Sequence, residues 1–226
     1  MRVLIRSWNL FHGRTEPQGA QVHLEEMVEL ASRDAPDVIC LQELPLWALS
    51  RLEDWSGMTS FAAVAKRTPV PRWLGGILQR RDPRRFRSGA TGQANAILLA
   101  PAFVPLQHRT VRIRERGRER RVCHAVRLDG IVIGNVHASN EFRRPEVPRT
   151  ELKRAHELVE SMAAGGDARV LAGDFNLRDP DLPGPNIDHI VVAGIGHGTL
   201  EVWPDERRLH NGAVLSDHAP VEMRVG

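Results

Sequence analysis

The sequence predicts a layered α/β or α+β sandwich, two packed sheets with helices outside. Three observations lead there. Short apolar runs of strand composition recur along the whole chain, from "RVLIRSWNL" at residues 2–10 to "APVEMRVG" at 219–226. Few segments with helical periodicity separate them. The marks of a doubly wound nucleotide-binding fold are missing as well: the first strand runs into "NLFHGR", without a G-x-G-x-x-G, and no P-loop occurs.

The elements follow in order. "RVLIRSWNL" is the first strand. In "QVHLEEMVELASRDAP" (21–36), Val22, Met27, Val28, Leu30 and Ala31 recur at near-helical spacing, and Pro36 stops the helix. "DVICLQEL" (37–44) is a buried strand and "LWALSRLEDW" (46–55) a short helix. "QANAILLA" (93–100) is a strand, and "VRIRERGRERRVCHAVRL" (111–128) a hairpin turning near Gly117. "GIVIGNVHA" (130–138) is another buried strand. "VPRTELKRAHELVESMAAGG" (147–166) is the clearest helix: Thr150 is placed to cap it, Leu152, Ala155, Leu158, Val159 and Met162 form its stripe, and Gly165 and Gly166 end it. "ARVLAGDFN" (168–176), "IDHIVVAG" (187–194) and "APVEMRVG" complete the strands.

No Pro/Gly/Ser linker interrupts the 226 residues, so one domain over 1–226 is expected, and 42% hydrophobic residues suffice for a sizeable core. Cys40 and Cys123 lie in apolar runs and read as reduced core thiols. There is no signal-peptide pattern and no apolar run near the ~20 residues of a membrane span. The expectation is a cytoplasmic monomer with no obligate protein partner.

The net charge of +3 is unevenly spread. Residues 66–90 carry +7 and residues 109–127 carry +6, which leaves −10 for the rest. Lys66 and Lys153 are the only lysines, so the basic segments are almost all arginine, which suits bidentate phosphate contacts. Trp73 and Phe86 are interleaved with these arginines and are candidates to stack on bases.

Polar groups stand at the ends of the apolar strands: Asn9, Glu43, His137, Asp174 with Asn176, Asp188 with His189, and Asp217 with His218. Any one of them is more often a turn residue or a satisfied core group. Six such places in one chain call for another reading: if the strand ends converge, they bring acids, a base and electrophilic stabilisers together. Glu43, Asp174 and Asp217 are hard oxygen donors, suited to Mg²⁺ or Mn²⁺. Asn9 and Asn176 offer a carbonyl to a cation or an N–H to a phosphate, and an Asp beside a His favours the imidazolium. Such a set fits hydrolysis of a phosphodiester.

Taken together, "WN" (8–9), "LQE" (41–43), "NVH" (135–137), "GDFN" (173–176), "IDHI" (187–190) and "SDHAPV" (216–221) resemble the endonuclease/exonuclease/phosphatase superfamily, in its order and over nearly the whole chain. The resemblance implies a four-layered α/β sandwich, two packed mixed sheets flanked by helices, with the site at one end of the sheets. It implies Glu43 as principal metal ligand helped by Asn9, and Asp217 supporting the metal. Asp174 then orients or deprotonates the attacking water, Asn176 holds the scissile phosphate, and His218 acts on the phosphate, oriented by Asp188. His137 matches a position where the deoxyribonuclease-like branch stabilises the transition state or protonates the leaving group. Asn95 is a further candidate for phosphate, although a strand-edge amide reads as well. His189 reads as packing beside Asp188, and His12 and His124 as ordinary surface or strand histidines.

Departures narrow the branch. Phe11 stands where abasic endonucleases usually carry an Asp, and the chain has no Tyr to occupy their catalytic position. Only 14 residues separate Asp174 from Asp188, so recognition is expected at the Arg-rich segments, with Arg80, Arg81, Arg84 and Arg85 foremost. The leading expectation is a Mg²⁺- or Mn²⁺-dependent nuclease acting on DNA. The alternatives are a phosphatase or phosphodiesterase for a small or lipid head-group phosphoester, and a catalytically silent binding module.

Overall fold

The computed structural model describes residues 2–114, 120–178, 182 and 187–226. The strands and helices are, in order, β1 (Val3–Asn9), β2 (Thr15–Glu16), α1 (Leu24–Ser32), β3 (Val38–Leu44), α2 (Leu52–Ser56), β4 (Thr59–Lys66), α3 (Arg72–Arg81) and α4 (Ser88–Thr91). β5 (Gln93–Leu99), β6 (Gln107–Arg112), β7 (Val122–Leu128), β8 (Ile131–His137), α5 (Glu146–Met162) and β9 (Ala168–Asp174) follow. β10 (Asp188–Ala193), β11 (Glu201–Val202), β12 (Leu209–His210), β13 (Ala213–Leu215) and β14 (Val221–Val225) complete the set.

One sheet runs β11-β14-β1-β3-β5-β4 and the other β10-β9-β8-β7-β6; β12-β13-β2 form a small third sheet. β1 pairs with β3 in parallel and β8 with β9 in parallel, while their other neighbours are antiparallel, so both large sheets are mixed. Side chains such as Ile5, Val38, Ile97, Ile133, Val170 and Met223 fill the space between them. On the outer face of the first sheet, Trp8, Ile39 and Leu98 pack with Met27, Val28 and Ala31 of α1. On the outer face of the second, Ala125, Val132 and Leu171 pack with Ala155, Leu158 and Val159 of α5. Central strands covered on both faces need apolar residues on both, so β1, β5 and β8 are buried at every position. The four-layered sandwich is therefore the observed architecture.

Cys40 and Cys123 are free, buried thiols, and burial raises the pKa of both. Among the described residues, no helix is long and apolar enough to cross a membrane.

Two local expectations change, and one helix was not foreseen. Thr150 does not cap α5. The helix already begins at Glu146, and the Thr150 hydroxyl donates to the Glu146 carbonyl inside it. Pro148 fits the first turn because its missing N–H would have had no partner there. The helix also ends at Met162, ahead of the two glycines. Finally, α3 lies within the basic segment, where Gly75 and Gly76 mask the helical pattern. Both glycines sit in close packing: a Cβ at Gly75 would lie 3.2 Å from the Ala90 carbonyl, and one at Gly76 would lie 3.2 Å from the Trp47 ring. The expected turn near Gly117 lies outside the described residues, while its flanks β6 and β7 pair antiparallel as a hairpin requires.

A buried polar bridge ties the sheets together. The Asn135 amide on β8 donates to the carbonyls of Leu41 (3.0 Å) and Ala96 (2.8 Å), on β3 and β5 of the opposite sheet. Its oxygen accepts from Gln42 Nε2 at 2.9 Å, which also donates to Ser7 Oγ at 3.1 Å. A buried polar group that loses its partner costs about 1–3 kcal/mol. Asn135→Leu removes the donor to both carbonyls, while Gln42 keeps Ser7 and Cys40 as partners, and should lower unfolding stability by about 2 kcal/mol or more, read as a lower urea midpoint at unchanged slope.

Candidate active site

The parallel pairings bring the strand ends to one place. Asn9 is opposite Gln42, the residue before Glu43. His137 is opposite Asp174, and Asp174 is opposite Asp188 at the start of β10. Gly173 permits the close approach of β9 to β8: its φ is +140°, and a Cβ there would collide with the Val136 carbonyl. Alternation then turns Phe175 into the layer beneath α5, away from Asp174 and Asn176.

The loops reach their positions through unusual backbone. Eight non-glycine residues among those described have positive φ, and five surround this site: Phe11, His12, Glu43, Asn176 and Ser216. Such conformations cost of order 1–3 kcal/mol each, and they concentrate where function requires them. At Glu43 the β3–β5 register shifts between Leu41 and Leu44, an irregularity that re-aims the carboxylate.

Asp174 is the hub of the polar contacts. Its Oδ2 accepts from Asn9 Nδ2 at 3.0 Å and its Oδ1 from the Asn176 backbone N–H at 2.9 Å. His137 Nε2 lies 3.4 Å and His218 Nε2 4.0 Å from Oδ2. Glu43 faces His12 Nε2 at 3.3 Å and His137 Nε2 at 3.8 Å. His218 Nδ1 donates to Asp188 Oδ2 at 2.7 Å, and its Nε2 is 3.9 Å from Asp217. Asn176 Nδ2 donates to the Ala138 carbonyl at 3.0 Å. The Ser216 hydroxyl donates to the Asn9 carbonyl at 2.6 Å and accepts from the His218 N–H at 3.1 Å, joining the first and last strands of the site.

Burial sorts the titratable groups. Desolvation lowers His12 and His137; Glu43 opposes it at His12, while Arg14 at His12 and Arg121 at His137 add to it. Desolvation also lowers His218, but the Asp188 hydrogen bond and the charges of Asp188, Asp174 and Asp217 outweigh it and raise the pKa to about 10. Asp174 is raised by burial and by Asp188. Asp217 is raised by burial and by Glu43. Gln93 Nε2 lies 3.2 Å from His137 Nδ1. An amide N–H donating there fixes the neutral tautomer that carries its proton on Nε2, toward Asp174. Asp174, Asp188 and His218 have donor atoms close enough to hold a cation, and within this trio His218 Nδ1 lies 2.7 Å from Asp188 Oδ2.

The expected set thus meets in one place: Asn9, Glu43, His137, Asp174, Asn176, Asp188, Asp217 and His218. Asn95 does not join it. It is wholly buried and its amide donates to the Val122 carbonyl across the sheets at 3.3 Å. Arg80 lies over the Trp47 ring, Arg81 is exposed, Arg84 donates to the Gln18 carbonyl, and Arg85 lies over the Phe86 ring. These partners lie outside the set of eight, so the four arginines do not join the cluster. The helix that carries Arg80 and Arg81 is nevertheless tied to the site, because buried Gln79 of α3 donates to the His12 carbonyl at 2.8 Å. His189 packs on Phe175 and His124 beside His108, in keeping with ordinary roles. His12 is the residue sequence reasoning passed over. Its position three residues after Asn9, in the loop leaving β1, was the available signal.

Two mixed sheets with this acid, amide and imidazole cluster where their strand ends meet define a hydrolase. The chain belongs to the Endonuclease/Exonuclease/phosphatase family, whose model matches residues 7–218. No curated protein matches the sequence significantly. Among solved structures, an endonuclease/exonuclease/phosphatase from Beutenbergia cavernae is similar at 16% identity and TM-score 0.72, over 99% of this chain and 71% of that one. Humanized D. rerio TDP2 is similar at 15% identity and TM-score 0.69, over 100% and 99% of the two chains. Caenorhabditis elegans TDP2 is similar at 13% and 0.65, over 100% and 74%. At these identities the likeness is one of fold.

The Asp188 contact should be visible by NMR. His218 should titrate near pH 10, and in Asp188→Asn its pKa should fall toward the ordinary histidine value near 6.5. A His218 signal that titrates alike in both proteins would refute the pairing.

Proposed function

We propose that this protein is a Mg²⁺- or Mn²⁺-dependent nuclease that hydrolyses DNA phosphodiesters by in-line attack of an activated water. One observation carries the reading: the His218–Asp188 pair at 2.7 Å faces Asp174, with Glu43 and both asparagines alongside. The residues also fit a hard divalent cation. Burial disfavours the charged forms of His12 and His137, so neither imidazole neutralises Glu43 beside it. Glu43 and the Asn9 side-chain oxygen would hold the ion, with Asp217 supporting them. A cation bound there supplies charge stabilisation at the phosphate and leaving oxygens.

The protein's own groups do the rest. Asp174, more basic than an ordinary carboxylate, orients the water and accepts its proton. Asn9 and the Asn176 N–H hold that carboxylate in place. The second N–H of the Asn176 amide is directed to the scissile phosphate. The His218 imidazolium donates from Nε2 to a non-bridging oxygen, and neutral His137 donates from Nε2 to the developing negative charge. The Arg80–Arg85 segment grips the substrate outside the cleft.

A second reading has one observation behind it. Trp73 and Ile77, one turn apart on α3, are 69% and 52% exposed beside arginines, which suits a lipid head-group substrate at an interface.

Purified protein should nick supercoiled plasmid with Mg²⁺ or Mn²⁺ and not with EDTA. Glu43→Gln should lose most metal affinity. His218→Ala should still bind metal while turnover falls 10²- to 10⁴-fold, as loss of an acid/base or electrostatic group does. Unchanged turnover in that variant would overturn the mechanism. If metal binds and plasmid stays intact, hydrolysis of phosphoinositides or sphingomyelin would favour the second reading. Neutralising Arg80, Arg81, Arg84 and Arg85 together should reduce the slope of log K against log[salt] by about 0.9 for each phosphate no longer neutralised, with kcat preserved.

A further inference from the structure

We propose that His23, Glu26 and His210 form a second metal site, separate from the catalytic centre and selective for a zinc-class ion. Among the described residues, two clusters bring three imidazole or carboxylate donors within 4.8 Å of one another. One is Asp174, Asp188 and His218, within the catalytic centre. The other, His23, Glu26 and His210, joins the start of α1 to β12.

The geometry is close to a coordination shell. Glu26 Oε1 lies 3.3 Å from His23 Nδ1 and 3.9 Å from His210 Nε2. The two imidazole rings are 5.1 Å apart, centroid to centroid. Zinc bonds of about 2.0–2.1 Å place tetrahedral ligand atoms ~3.3–3.4 Å apart. The His23–Glu26 spacing already meets this, and His210 needs only a small inward movement. Two nitrogens and one carboxylate are the donor types of a zinc site with an open fourth position. They suit Mg²⁺ poorly, because it prefers oxygen ligands and keeps its waters. The two sites therefore sort ions by chemistry: oxygen donors at Glu43, imidazoles here.

The fold holds two of the ligands firmly. His23 precedes α1, its N–H donates to the Gly13 carbonyl at 2.8 Å, and its carbonyl accepts from Met27 at 3.0 Å. Glu26 lies in the first turn of the same helix, three residues after His23. His210 comes from a separate element, β12, paired to β13 through Ala213. The ion would thus staple the small β12-β13-β2 sheet to α1. That sheet leads directly to the loop of Ser216, Asp217 and His218, and Gly13 adjoins His12. Zinc here acts as a structural clamp on the two loops that frame the catalytic centre.

Protein without an affinity tag, stripped with EDTA, should be titrated with Co²⁺ as a spectroscopic stand-in for zinc. One ion per chain should give visible d–d absorption, displaced by Zn²⁺ and not by Mg²⁺. Zn²⁺ at about 100 times its Kd should raise Tm by roughly 5–10 °C. His210→Ala should abolish both effects and Glu43→Gln should keep both, which separates this site from the catalytic one. Glu26→Gln, on a partly exposed helical turn, gives the same reading should His210→Ala fold poorly. Absence of d–d absorption in the parent protein would overturn the proposal. So would absorption that survives His210→Ala and Glu26→Gln, or that disappears in Glu43→Gln.

Discussion

The site depends on a contact it does not contain, the bridge of Gln42 and Asn135 between the two sheets. Gln42 is next to Glu43, and Asn135 is two residues before His137. Asn135 reaches carbonyls on two strands of the opposite sheet, so it sets the register of one sheet against the other. An apolar interface of Val, Ile and Ala would tolerate sliding, because dispersion contacts are non-directional. Three directional hydrogen bonds do not. With the sheets so placed, Glu43 from one and His137 and Asp174 from the other meet at the same end.

Environment, more than residue type, decides what each histidine does. His218 has a carboxylate at hydrogen-bond distance on one nitrogen and two more within 4.0 Å of the other, so it keeps its proton. His137 lies nearer to Asp174 than His218 does, yet it is fully desolvated and its Nδ1 faces the Gln93 amide. Uncharged His137 beside charged His218 gives the cleft a neutral and a cationic donor. The same burial makes Asp174 more basic.

The central strands β1, β3, β5, β7, β8 and β9 were readable because both faces are covered and so apolar, whereas the half-exposed β4 and the short β2, β11, β12 and β13 carry no such run. The site was readable for a related reason: a carboxylate, amide or imidazole at the end of a fully apolar run has no packing role to explain it. Helix boundaries were less so. Thr150 has the chemistry of a cap, but a proline at position 148 is acceptable in a first turn and moves the start back to Glu146. Gly75 and Gly76 argue against a helix by propensity, and tertiary packing against Trp47 and Ala90 overrides it. His12 was hidden because its contact with Glu43 arises from left-handed backbone on both partners, which no periodicity reveals. Asn95 was misleading for the opposite reason: it satisfies the strand-end pattern in composition while its side chain bridges the sheet interior.

The cluster of left-handed residues has a consequence for how this protein can change. Glu43, Asn176, Ser216 and His12 each hold a conformation that glycine would adopt without strain. Glycine at these points would relieve the backbone, but at Asn176 and Ser216 it would also strip the hydrogen bonds to the Ala138 and Asn9 carbonyls and to the His218 N–H. The same side chains that strain these loops therefore also fasten them, so relief of strain and loss of anchorage arrive together with any such change.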